Sequence, residues 1–204
     1  MTRRVLLAAL LLAAGLAGLA CARMDRALEW HPKPSPDDGE WAAQRERWTR
    51  KANLYDGLTM RVFATATYQA PELRRARAAL VAEWKAMTAA ERDALLAAEE
   101  AEAARFEDFV LSMTTSDPAD NDLDSKDTDW RLALVSPGAP DVTGAEVVQL
   151  RVDTLLRTLY PTIGDFDVVY RVRFQRPEAA AGTYRTLRMA GPRGRIDFDL
   201  SVAP

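Results

Sequence analysis

The sequence predicts an α+β domain: an antiparallel β-sandwich or curved sheet of five to seven strands, with a helical pair inserted at about residues 71–113. Three observations carry this. From Trp130 onward apolar residues alternate with polar ones in short runs, the period of half-buried strands. Between Pro71 and Met113 the apolar period changes to three and four, the stripe of amphipathic helices. The strand–helix rhythm of a doubly wound fold does not recur, and short connections favour antiparallel pairing with one face on the core and one in water.

Taken in order, residues 40–52 place Trp41, Arg45 and Trp48 on one side of a short helix. The two tryptophans pack it on the domain, with an interfacial helix beside a membrane as the alternative. From Asn53 to Gln69, Leu58, Met60, Val62, Ala64, Ala66 and Tyr68 alternate with Thr-rich positions and predict one long strand. Pro71 suits the first helical turn, where a missing N–H costs nothing. Leu73, Ala76, Leu80, Trp84 and Met87 stripe the first helix, and Thr88-Ala-Ala-Glu91 is a capping box that opens a second. That second helix is expected to bury Leu95, Leu96, Phe106, Phe109, Val110 and Met113, with Glu99, Glu102, Glu107 and Asp108 mostly in solvent. Residues 114–129 read as a polar loop. Strands follow at 130–135, 146–152 and 166–175, with a strand or short helix at 153–160 and a terminal hairpin, 183–189 and 195–202, around Ala-Gly-Pro-Arg-Gly. In the run Phe166, Val168, Tyr170, Val172, Phe174, the partners Arg171 and Arg173 fall on the opposite, wet face.

The first twenty residues stand apart. Arg3 and Arg4 precede an unbroken Leu/Ala-rich run from Val5 to Ala20, the pattern of a secretory signal peptide. The run is too short and wrongly flanked for a membrane span. It ends Leu16-Ala17-Gly18-Leu19-Ala20-Cys21, which resembles the lipobox of bacterial lipoproteins, although Gly18 stands where that motif most often has Leu. The resemblance implies cleavage before Cys21 and acylation of Cys21, hence export and anchoring to the cell envelope through a membrane-inserted lipid. Ala22 rather than Asp after the cysteine leans towards the outer membrane. Cys21 is the only cysteine, so no internal disulfide competes for it. The chain then divides into a signal peptide (1–20), a Pro-rich lipidated tether (21–39) and one α+β domain (40–204).

Removing residues 1–20 takes away two arginines and no acids, moving the net charge from −3 to −5. Residues 21–130 carry 15 Lys and Arg against 22 acids; residues 131–204 carry 10 Arg against 8 acids. Neither half is basic enough for nucleic acid. The single histidine, His31, sits in the tether, and no G-x-S-x-G, phosphate loop or His/Cys metal spacing is present. No cofactor and no catalytic residue is expected. Asp120, Asp122 and Asp124 have the one-three-five spacing of a calcium loop, but Ser125 and Arg131 occupy positions that need Gly and Glu, so a solvated turn is the better reading. Arg171 and Arg173, with Arg131, Arg151, Arg185 and Arg188 near them, are the candidates for binding an anionic envelope component; pairing with Asp167, Asp197 and Asp199 is the alternative. The expected function is a lipid-anchored binding or assembly module with an envelope protein or anionic component as partner. An envelope hydrolase with a carboxylate-based site, with or without calcium, is the alternative.

Overall fold

The structure, a computed structural model, describes residues 39–176 and 186–201. The signal peptide, the tether with Cys21 and His31, and Arg185 lie outside these residues. Among the described residues no helix is long and apolar enough to cross a bilayer.

A short helix, α1 (Gly39–Trp48), leads into the hairpin β1 (Thr49–Asp56) and β2 (Thr59–Tyr68). The region from Asn53 to Gln69, expected to be one strand, therefore holds the end of β1, the turn and all of β2. Gly57-Leu58 makes the turn, Gly57 supplying the positive φ (60°) that a two-residue loop needs at its first position. Helices α2 (Pro71–Trp84) and α3 (Ala89–Arg105) follow, then β3 (Phe106–Thr115), β4 (Arg131–Val135), β5 (Glu146–Leu150), a short α4 (Thr154–Leu159), β6 (Val168–Gln175), β7 (Thr186–Gly191) and β8 (Gly194–Asp199). These eight strands form two antiparallel sheets, ordered β1-β2-β3-β6-β5 and β4-β7-β8.

The helical pair ends at Arg105, not near Met113. Phe106, Phe109, Val110 and Met113 fit a helical stripe, but Phe109, Leu111 and Met113 also share one face of a strand, and the chain takes the second option as the central strand of the larger sheet. Glu107 and Asp108, expected in solvent, are 2% and 3% exposed. Both faces of this central strand are covered, one by the smaller sheet and one by helices, so neither side of the alternation reaches water.

The larger sheet is covered on both faces. Val62, Ala64, Phe109, Leu111, Tyr170, Val172 and Phe174 point at Leu134, Leu187, Met189, Ile196 and Phe198 of the smaller sheet and form the sandwich core. On the other face Trp41, Leu73, Ala76, Leu80, Leu159 and Tyr160 pack on Val110 and Val169. The face bearing Arg171 and Arg173 is consequently the helical side of the sheet, where the Arg173 side chain is 15% exposed and that of Arg171 38%. Trp41 packs edge-on against Tyr160, with ring centroids 5.7 Å apart, and Trp48 edge-on against Tyr68 at 5.3 Å, which places both tryptophans against the domain.

The capping box at the start of α3 forms in both directions: Glu91 N–H donates to Thr88 Oγ1 at 3.3 Å and Thr88 N–H donates to Glu91 Oε2 at 2.8 Å. The end of α2 is less comfortable. Met87 N–H bonds the Ala82 carbonyl and Ala86 N–H the Glu83 carbonyl, both at 2.9 Å, the paired closure of a Schellman motif. Its left-handed residue is Ala86, with φ 49°, where glycine has no Cβ to strain. Ala86→Gly is expected to stabilise the domain by about 0.5–1 kcal/mol. A urea-unfolding midpoint that stays put or falls would show that the turn carries no such strain.

Candidate functional site

The helical side of the larger sheet does not close completely. Between α2, α3, α4 and the strands lies a cleft of about 410 Å³. One wall is apolar: Ala78 and Val81 from α2, Leu95 from α3, Leu150 from the end of β5, and Leu155, Leu156 and Leu159 from α4. Asp153 caps α4, its carboxylate accepting from Leu156 N–H at 2.8 Å, and so fixes how the three leucines are presented.

The floor is ionic. Asp108 on β3 stands opposite Arg173 on β6 in the strand register, and the two make a side-on pair, Arg173 Nε to Asp108 Oδ1 at 2.7 Å and Nη2 to Oδ2 at 2.8 Å. Arg74 from α2 reaches the same carboxylate and also donates to Glu99 on α3 at 3.0 Å. Arg77, one turn on, holds both oxygens of Glu99 at 2.7 and 2.8 Å. Arg173 further pairs with Glu102 and stacks over the Phe106 ring, 4.1 Å from its centroid. Gln69, at the end of β2, ties these parts together. Its carbonyl accepts from Arg74 Nε at 3.0 Å, and its Oε1 accepts from Arg77 at 2.7 Å and from Tyr160 O–H at 3.0 Å.

Burial alone would raise the Asp108 carboxyl; hydrogen bonds from Arg173 and Arg74 outweigh it and hold the group below the usual carboxylate range. The Arg173 guanidinium is pushed up, chiefly by its hydrogen bonds to Asp108. Both groups are therefore locked in their charged forms at neutral pH, which disqualifies Asp108 as a proton donor and Arg173 as an acceptor.

A second buried trio lies at the foot of β3. Tyr68 O–H donates to Glu107, and Arg176 Nε sits 2.8 Å from the other oxygen of Glu107. That contact pairs the charges without the alignment of a hydrogen bond. Burial, then the Glu107 charge, pushes the Tyr68 phenol well above its ordinary value. On the sandwich side Tyr170 is pushed up to about 12, first by burial and then by the Asp124 charge; its hydroxyl donates to the Asn121 carbonyl at 2.7 Å.

The residues singled out from sequence are divided by the fold. Arg173 and Arg171 both line the cleft, but Arg173 is already neutralised by Asp108 and Glu102. Among the described residues Arg171 meets only Glu146, through Nη2 at 2.9 Å. Arg131 and Arg188 belong to the other sheet, where Arg188 grips Asp197 at 2.8 and 3.0 Å. The arginines thus share no single face. Asp120, Asp122 and Asp124 do not converge either: Asp120 pairs with Arg193, Asp122 accepts from Thr128 O–H at 2.9 Å, and Asp124 is exposed. Among the described residues no three His, Cys, Asp or Glu side chains are placed to hold a metal ion. Sequence reading missed Arg74, Arg77, Glu99 and Asp108 as a unit. The available signal was Arg74 and Arg77 lying one helical turn apart beside the buried Leu73 and Ala76, a stripe that carries charge into the packed side of its helix.

No protein-family model matches the chain, and no curated protein does. A solved structure similar to it is that of a novel protein of unknown function from Burkholderia pseudomallei K96243, at 16% identity over 90% of each chain with a TM-score of 0.44.

Proposed function

We propose that this chain is a lipid-anchored cell-envelope protein that acts as a binding module, with the cleft over the larger sheet as its recognition site. The observation that carries the reading is the pairing of an open, leucine-walled cleft with a floor whose carboxylates are tied to arginines. Such a floor is rigid and has no spare acid or base to move a proton, whereas an apolar wall facing an opening gains by being covered. Leu155, 36% exposed, and Val148, 40% exposed, extend the apolar surface to the rim. Hydrolysis by a carboxylate pair finds less support, because Asp108 and Glu99 each already hold two arginines.

The address rests on residues Leu16–Cys21 and on the absence of any other cysteine. Export through the signal peptide and acylation of Cys21 tie the domain to the envelope, on the outer membrane, within reach of an envelope protein or an anionic envelope component.

One experiment tests both parts. The full chain is expressed with a photocrosslinking residue at Leu155, on the cleft rim, or at Arg188 on the opposite sheet, and the cells are fed labelled palmitate. The expected result is label in the wild-type Cys21 protein and none in Cys21→Ser, together with an added mass on irradiation at position 155 and none at 188. Equal adducts at both positions, or none, would remove the cleft as a binding site; label that survives Cys21→Ser would remove the anchor.

A further inference from the structure

The charges lining the cleft do not balance. Four arginines, Arg74, Arg77, Arg171 and Arg173, face three carboxylates, Glu99, Glu102 and Asp108. Three of the arginines sit on those three carboxylates and form the neutral floor. Arg171 is left over. Its counter-ion, Glu146, lies outside the cleft lining, is 58% exposed, and touches only the Nη2 end of the guanidinium. The Nε of Arg171 is buried and finds no hydrogen-bond partner among the described residues, while the side chain as a whole is 38% exposed. Its charge is thus met by one exposed group, which an incoming carboxylate can replace.

The cleft that Arg171 lines is also lined by Leu150 of β5, Leu155 and Leu156 of α4 and Val81 of α2. A cation whose only carboxylate in the described residues is exposed and outside the cleft, with an apolar wall in the same cleft, describes a ligand with a single negative head and a hydrocarbon body. About 410 Å³ is near the small end for ligand pockets, which suits one chain rather than two.

We infer that the cleft binds a free single-chain carboxylate amphiphile, with its carboxylate on the guanidinium of Arg171 in place of Glu146 and its chain against Leu150, Leu155 and Leu156. This rests on the cleft being the recognition site.

The test is calorimetric titration of the purified full-length protein with decanoate, decanol and decyltrimethylammonium, below their aggregation limits, and with phosphatidylglycerol vesicles. Decanoate is expected to bind one to one, roughly tenfold more tightly than decyltrimethylammonium. Arg171→Gln should bring the two within about twofold. Arg188→Gln, on the other sheet, should leave the preference intact. Leu155→Asp, at a position open enough to spare the fold, should weaken all three ligands. Equal affinity for the three heads, or a preference that survives Arg171→Gln, overturns the assignment of the head group. Binding to vesicles without decanoate overturns the free amphiphile in favour of a bilayer lipid. No binding to any probe, with an adduct still forming at position 155, overturns the ligand class and leaves the cleft as a binding site; no binding and no adduct overturns both.

Discussion

Asp108→Asn is expected to cost about 3–5 kcal/mol of folding stability at neutral pH, although it changes neither the size nor the shape of the side chain. Asp108 is 3% exposed and sits between Arg74 and Arg173, whose side chains are 5% and 15% exposed. Removing its charge leaves two largely desolvated guanidinium groups with Glu99 and Glu102 as their remaining counter-ions. For a domain whose whole stability is of order 5–15 kcal/mol, this is a large share. The wild-type protein should show the same dependence when titrated. The folded-state pKa of Asp108 is depressed, so its contribution is complete above the unfolded value, about 3.9, and is lost as pH falls through the lower folded value. The urea midpoint of the wild-type protein should therefore drop in that window, and Asp108→Asn should flatten the drop. A variant within about 1 kcal/mol of wild type at pH 7 would mean that the cluster is not the tie between helices and sheet.

The same substitution separates the two readings of residues 106–113. On a helix running to Met113, Asp108 faces water and its loss is nearly silent. On β3 it is the hub of a buried network. The sequence could not distinguish them because Phe106, Phe109, Val110 and Met113 satisfy a helical stripe, while Phe109, Leu111 and Met113 satisfy a strand. Where one period had no rival, the reading held. The strand expected over 166–175 forms from Val168 to Gln175, Pro71 starts α2, Thr88 and Glu91 cap α3, and a hairpin closes at Gly191–Gly194. The antiparallel α+β architecture with an inserted helical pair followed from these. Eight strands form instead of five to seven because the chain between Asn53 and Gln69 turns at Gly57-Leu58 and belongs to two strands, and because β3 lies in the run that fits a helical stripe.

The site was less legible than the fold, for a geometric reason. Its charges come from α2, α3, β3 and β6, between Arg74 and Arg173, and no window of sequence holds more than two of them close together. Arg171 and Arg173 stood out as polar positions alternating with a buried stripe. Alternation reports that two faces differ, not that the second is wet. Here the second face is covered by helices, and the arginines on it are tolerated because each meets a carboxylate.

Phe109→Ala is expected to cost about 3–5 kcal/mol, and Phe166→Ala, about 0.5 kcal/mol or less. The pair is chosen because sequence periodicity places both phenylalanines in buried stripes. In the structure Phe109 is 1% exposed on the central strand, its ring 5.2 Å from Tyr68 and 6.3 Å, edge-on, from Phe174. Truncation removes those ring contacts and opens a hole between two sheets that are each held by strand pairing and cannot collapse into it. Phe166 continues the alternation of β6 by two residues, but the strand begins at Val168, after Gly164 N–H has bonded the Asp167 carboxylate at 2.9 Å to shape the turn. The ring at 166 is left 87% exposed. Denaturant unfolding of the two variants reads the contrast directly. Similar losses for both would move the start of β6 back to Phe166 and bring that end of the sheet under the core, whereas a large loss at 109 alone confirms that burial follows the strand boundary and not the extent of the hydrophobic pattern.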